Sequence, residues 1–195
     1  MSMPELNKSL APAGLNRNAL SLKVGEKAVY PGLGPCRLGS IEQRVVNERT
    51  VMFYHLIVLD DDRAGELFIP VEKAEAIGVR SMMETSEIPR LLAHLKKTVK
   101  SAGTWKQRAL ENLKLFNSGS PFDLADIVAS LTDLRCARSL TQGELRTLEK
   151  ARRMLVCEIS EVTGEERAAA DEHIGQALAQ RKDREEPDEP AVLGS

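Results

Sequence analysis

Residues 27–60, KAVYPGLGPCRLGSIEQRVVNERTVMFYHLIVLD, alternate short runs rich in Val, Ile, Phe and Tyr with turn-forming Pro, Gly and Asn. β-branched and aromatic residues favour pleated, half-buried positions, and the interruptions leave no segment long enough for a βαβ helix. PGLGP at 31–35 is turn chemistry, and Asn47 in VVNERT supplies a hairpin residue between the second and third runs. GELFIP at 65–70 adds a strand after an acidic turn at Asp60, Asp61 and Asp62, which is expected to be solvated. From Leu22 to Arg80 the spacing therefore predicts a small, curled antiparallel sheet or SH3-like barrel.

Beyond Arg80 the hydrophobic period becomes helical. SEIPRLLAHLKKTVK (86–100) begins with Ser86 as N-cap and accommodates Pro89 in its first turn. The next helix, TWKQRALENLKLF, follows a Ser-Ala-Gly break and stops at Gly119, with Pro121 opening the helix after it. There Leu124, Ile127, Val128, Leu131 and Leu134 fall on one narrow face. TQGELRTLEKARRMLVCEISEV (141–162) repeats the arrangement with Leu145, Leu148, Leu155, Ile159 and Val162, and Thr141 with Glu144 forms a capping box. EERAAADEHIGQALAQR supplies a final helix. The expected organisation is a β + α protein: an arm at 1–21, a β domain at 22–80, a compact all-α bundle of about five helices at 81–181, and a charged tail at 182–195. No internal repeat is present.

Composition narrows the function. The 195 residues carry a net charge of −2 and three cysteines, Cys36, Cys136 and Cys157, without CxxC spacing. An odd count argues against a secreted disulfide framework and predicts reduced thiols in a cytoplasmic protein. No apolar run approaches a membrane span, and the N-terminal residues lack the compact apolar segment of a signal peptide. His55, His94 and His173 are not at metal-ligand spacing, the three aspartates lack the alternation of a calcium loop, and PGLGP is neither a phosphate loop nor a dinucleotide fingerprint. No nucleophile motif, metal site or cofactor site is expected. The chain reads as a binding protein rather than an enzyme, and without a long heptad seam it is expected to be a monomer.

The basic charge is local. Between Arg90 and Ser118 lie seven basic residues (Arg90, Lys96, Lys97, Lys100, Lys106, Arg108 and Lys114) against one acid, Glu111. The single tryptophan, Trp105, sits among them. Clustered cations beside a large aromatic suit nucleic acid, where they neutralise phosphates while the ring stacks on or wedges between bases. Ala109, Leu113 and Phe116 form the apolar stripe of this helix, with Trp105 at its flank, so periodicity leaves core and surface both open for the tryptophan.

LKVGEKAVYPGLG, VEKAEAIGVR, TWKQRALENL, SGSPFDLADIVASL and SLTQGELRTLEKARRMLVCEI occur in an order and spacing that resembles the bacterial CarD/CdnL transcription regulators, over roughly residues 22–180. Five pieces in register make the resemblance specific. It implies a Tudor-like N-terminal domain that docks on the β subunit of RNA polymerase, and a helical domain that touches promoter DNA at the upstream edge of the melted bubble. It assigns Arg44, Phe68 and the adjoining Ile69 to the polymerase contact. Trp105 corresponds to a family tryptophan that wedges into the minor groove, with Arg108, Lys106 and Lys100 contacting phosphates largely independently of sequence. The protein would thus work in the cytoplasm, at the nucleoid through polymerase.

Departures from the family pattern qualify these expectations. Gln107-Arg108 stands where many members have two adjacent arginines, Leu110 occupies a position that is basic in others, and Phe68 replaces a frequently basic residue. Fewer cations predict weaker DNA contact, and Phe68 predicts an apolar polymerase contact or a different docking surface. An adaptor that keeps the polymerase module and uses its helices for another protein is the alternative from a different class.

Overall fold

A computed structural model describes residues 20–60, 65–97 and 103–181. The expected tail, the arm as far as residue 19, and Asp61, Asp62 and Lys100 lie outside these residues. Strands β1 (Lys27–Tyr30), β2 (Gly34–Val46), β3 (Arg49–Val58), β4 (Glu66–Pro70) and β5 (Arg80–Ser81) form one antiparallel sheet in the order β4-β3-β2-β1-β5. The hairpin between β2 and β3 turns through Asn47 and Glu48, both at positive φ (48° and 61°), the geometry a two-residue hairpin requires. A register shift between Leu38 and Ser40 bends β2. Ala28, Cys36, Leu38, Tyr54, Leu56 and Ile69 pack on one face with Leu22, with Ala74, which opens the short helix α1 (Ala74–Ile77), and with Val79 just beyond it. Burial pushes the Cys36 thiol up to about 12, so it is an inert packed group at neutral pH.

The helical part comprises α2 (Ile88–Leu95), α3 (Trp105–Ser118), α4 (Pro121–Ala137), α5 (Gln142–Thr163) and α6 (Arg167–Ala179). The sequence expectation for the start of α2 needs correction. Ser86 is not its cap; Glu84 and Glu87 form a capping box around a 3-10 turn (Thr85–Glu87) that leads into the helix, and Ser86 Oγ donates to the Glu84 carboxylate. The Thr141/Glu144 capping box of α5, the left-handed Gly119 after α3 and Pro121 at the start of α4 stand as expected. The face predicted for α4 is buried, and the helix buries more than that face. Ala125, Ala129 and Ser130 are buried together with Leu124, Ile127, Val128 and Leu131, because the helix is the centre of the bundle and its small residues admit neighbours on every side.

Helix α5 also buries more than the predicted stripe. Leu155 and Ile159 face the helical core, while Met154, Cys157, Glu158 and Glu161 turn to the sheet. Lys27 pairs with Glu161 at 2.6 Å, and Arg153 pairs with Asp60 at 3.1 Å. Asp60 is therefore a buried interdomain partner rather than part of a solvated turn. No helix among the described residues is long and apolar enough to cross a membrane.

Two glycines test how closely these parts fit. Gly119 (φ 73°) and Gly164 (φ 75°) both terminate helices in the left-handed region. A Cβ at Gly119 would meet Pro31 at 3.3 Å and the Gly78 carbonyl at 3.4 Å, whereas a Cβ at Gly164 meets nothing. Gly164→Ala is expected to cost about 1 kcal/mol and Gly119→Ala at least about 2 kcal/mol in urea denaturation. Equal costs would show that the α3–sheet seam yields freely.

Candidate nucleic-acid and protein interfaces

The start of α3 is built by local hydrogen bonds. The Gln107 backbone N–H donates to Thr104 Oγ1, and the Thr104 N–H donates to Gln107 Oε1 at 2.7 Å, a reciprocal cap that fixes the first turn. Trp105 is the first residue of that turn and is 59% exposed, which resolves the alternatives left by its periodicity in favour of the surface. Lys106 Nζ lies 5.6 Å from the indole centroid.

Arg108 does not extend into solvent with them. Its Nε and Nη2 donate to Glu144 Oε1 at 3.1 and 2.8 Å, and its Nη1 donates to the Gly103 carbonyl at 2.6 Å. Arg138 Nη2 reaches the same carboxylate at 3.0 Å. Burial by itself would raise the Glu144 pKa, but the Thr141 N–H, Arg108, the Thr141 hydroxyl and Arg138 together outweigh it and hold the group at about 2. With its side chain only 11% exposed, Arg108 is positioned as an internal anchor and not as the phosphate contact expected from the sequence.

This anchor sets the rotation of α3. Arg108, Asn112, Leu115 and Phe116 face the bundle, so of the predicted stripe only Phe116 is buried. Leu110 (58% exposed) and Leu113 (55%) face outward with Ala109. The outer surface of α3 thus combines three large apolar side chains, Trp105, Leu110 and Leu113, with the cations Lys106 and Lys114.

The second candidate surface is the outer face of the sheet. Cross-strand pairing sets Ser40 opposite His55, Glu42 opposite Phe53 and His55 opposite Phe68. The Arg44 guanidinium carbon is 3.8 Å from the Phe68 ring centroid and 5.7 Å from that of Phe53. Its Nη2 and Nε donate to Glu42 Oε2 at 2.8 and 3.2 Å. That pairing, foremost among its contacts, holds the Glu42 carboxyl below the usual range. His55 stacks on Phe68 at 4.5 Å and 11°, and its Nε2 is 3.0 Å from Glu66 Oε2. Arg44 and Phe68, assigned separately by the sequence, thus form one unit.

Ile69 does not join them. It is 5% exposed with its side chain in the core opposite Tyr54. The Val58 N–H donates to the Gly65 carbonyl at 2.9 Å, which in this register turns the Ile69 backbone toward β3 and that of Phe68 toward the open edge. Strand β4 ends the sheet, so the edge available to a partner is lined by Phe68 rather than Ile69. Each described histidine has one carboxylate neighbour: Glu66 for His55, Asp126 for His94 at 2.6 Å and Glu165 for His173 at 3.6 Å. None belongs to a group of three potential metal ligands among the described residues.

Fold and surfaces together define a two-module protein, with an open-edged sheet fixed to a helical bundle that presents an exposed aromatic at a helix start. The family described as "CarD-like/TRCF RID domain" matches residues 22–83, and that described as "CarD, C-terminal domain" matches residues 79–175. The chain belongs to the CarD/CdnL family, a regulatory, non-catalytic family of transcription regulators that interact with RNA polymerase. The chain is also similar to the solution structure of the 72-residue N-terminal domain of Myxococcus xanthus CarD, at 30% identity over 35% of this chain and 93% of that one, with a TM-score of 0.27.

The Glu144 hub has a pH signature. Because its carboxyl is held at about 2 in the folded protein, its contribution is full above the ordinary carboxylate value of 4.5 and is lost as pH falls toward 2. Glu144→Gln is therefore expected to be less stable than wild type by about 1–3 kcal/mol at pH 7. The difference should shrink between pH 4.5 and 3 in denaturant titrations. A gap independent of pH would mean that the carboxylate charge does not hold the cluster.

Proposed function

We propose that this protein docks on the β subunit of RNA polymerase through the β4 edge and the Arg44–Phe68 unit, and stabilises the open promoter complex by applying Trp105 to DNA at the upstream edge of the bubble. The observation that carries this reading is a large indole, more than half exposed, on a rigidly capped first helical turn. An aromatic held there interacts better with unstacked, distorted duplex than with closed duplex, so it shifts the equilibrium without any chemical step. A preference of ~1.4 kcal/mol would raise the open-to-closed ratio about tenfold. Lys106 is the adjacent phosphate contact, whereas Arg108 orients the helix from within. Lys100, outside the described residues, remains in the proposed contact set by sequence alone. At the sheet, Phe68 offers an edge strand and an apolar ring with Arg44 laid against it, which suits strand addition by a partner.

A second reading is favoured by Leu110 and Leu113. Two exposed leucines beside Trp105 suit a protein surface as well as a groove, so an adaptor that docks on polymerase and receives another protein on α3 is the alternative.

Open-complex lifetime on a linear promoter, measured with bacterial polymerase, separates the two. Wild type is expected to lengthen the lifetime several-fold and Trp105→Ala to abolish the gain. Lys106→Ala is expected to lower the salt slope of DNA association by about one. A wild-type protein that binds polymerase and leaves the lifetime unchanged would sink the DNA reading in favour of the adaptor. At the other surface, Arg44→Glu and Phe68→Glu are each expected to reduce recovery of the β subunit at least tenfold; undiminished recovery would remove this face from the interface.

A further inference from the structure

Arg80 stands where three parts of the protein meet. It lies on β5, which pairs with β1 at Val29. Its Nη1 and Nη2 donate to the two carboxylate oxygens of Glu158 on α5 at 2.7 and 2.8 Å, and its Nε donates to the Gly119 carbonyl at 2.6 Å. Glu158 is almost fully buried and also accepts the Met83 N–H at 3.0 Å. Gly119 is the residue that caps the C-terminus of α3.

The contacts close a triangle. Arg80 ties the sheet to the end of α3, Glu158 ties the sheet to α5, and the Arg108–Glu144 pair ties the start of α3 back to α5. A fourteen-residue helix is about 21 Å long. With the start of α3 held by Arg108 on Glu144, a shift of nearly 2 Å at its Gly119 end would tilt the helix by about 5° and change the direction in which Trp105 points. An arginine can reach both acceptors at once because its fork is planar and carries five donors, whereas a lysine offers a single flexible ammonium.

We propose that Arg80 is a positioning residue: by holding the Gly119 carbonyl and Glu158 together, it fixes the angle of α3 against the sheet, and so the direction of Trp105 relative to the polymerase-docking edge. This rests on the function proposed above for Trp105, but the geometry has its own readout. A simple stabilising ion pair would add to the melting temperature without controlling this angle.

The test uses the full chain with Cys136, the exposed thiol, changed to Ser. Spin labels at Arg49→Cys, on the hairpin, and Leu113→Cys, on the outside of α3, report the distance between sheet and helix. Arg80→Lys is expected to keep cooperative unfolding and polymerase recovery within twofold of wild type, to broaden the distance distribution at least twofold, and to reduce the gain in open-complex lifetime at least threefold in unlabelled protein. If Arg80→Lys does not fold, Glu158→Gln, which preserves volume and removes the charge, takes its place with the same expectations. A distribution as narrow as wild type would overturn the proposal, as would a full lifetime gain despite a broadened one. A wild type that does not affect lifetime would instead overturn the function assigned to Trp105, and the distance measurement alone would then decide whether Arg80 sets the angle.

Discussion

Helix α5 has to be buried on two sides at once, and the arrangement of both candidate surfaces follows from that constraint. One side completes the helical core with Leu155 and Ile159; the other meets the sheet, where a carboxylate with almost no solvent contact, Glu158, must be fully satisfied. A buried charge without partners would cost several kcal/mol, so Arg80 and the Met83 N–H are as necessary to this helix as its leucines. The sheet and the bundle consequently share a charge-paired seam. Such a seam resists relative motion more than the polar interfaces common between domains.

On α3 the same logic separates cations by task. Arg108, the residue expected to contact phosphate, is withdrawn into the Glu144 cluster, and its withdrawal turns Leu110 and Leu113 outward. The helix therefore has fewer free charges and more apolar surface than its sequence advertises. Little long-range electrostatic attraction toward an anionic partner remains on that face.

The strands were legible because alternation is local: Val, Ile and Tyr between PGLGP and the Asn47 turn specify pleated pairing without knowledge of anything distant. Helix ends were legible for the same reason at Thr141, Gly119 and Pro121. Strand β5, only two residues long, carries no periodic signal. The second buried side of α5 was visible only as the unbroken MLVC run, and the partnership of Arg80 with Glu158 spans 78 residues of chain. Trp105 was found by composition and by family register, whereas the direction of Arg108 depends on Glu144, 36 residues later. Ile69 lies on the core face, opposite to Phe68, because neighbours in a strand alternate between faces, a separation that grouping the two by adjacency does not register.

The hairpin of β2 and β3 outruns its neighbours. Strand β4 pairs only with Phe53 to Ile57, so the segment from Gln43 to Met52 is a two-stranded ribbon with Val45, Val46 and Met52 exposed. Ribbons of this kind open locally at a small fraction of the global unfolding free energy. Its amide hydrogens should therefore exchange well before those of Cys36 or Leu38. Arg44 lies within that ribbon, and its clasp with Glu42 and Phe68 ties the fraying end to the protected part of the sheet.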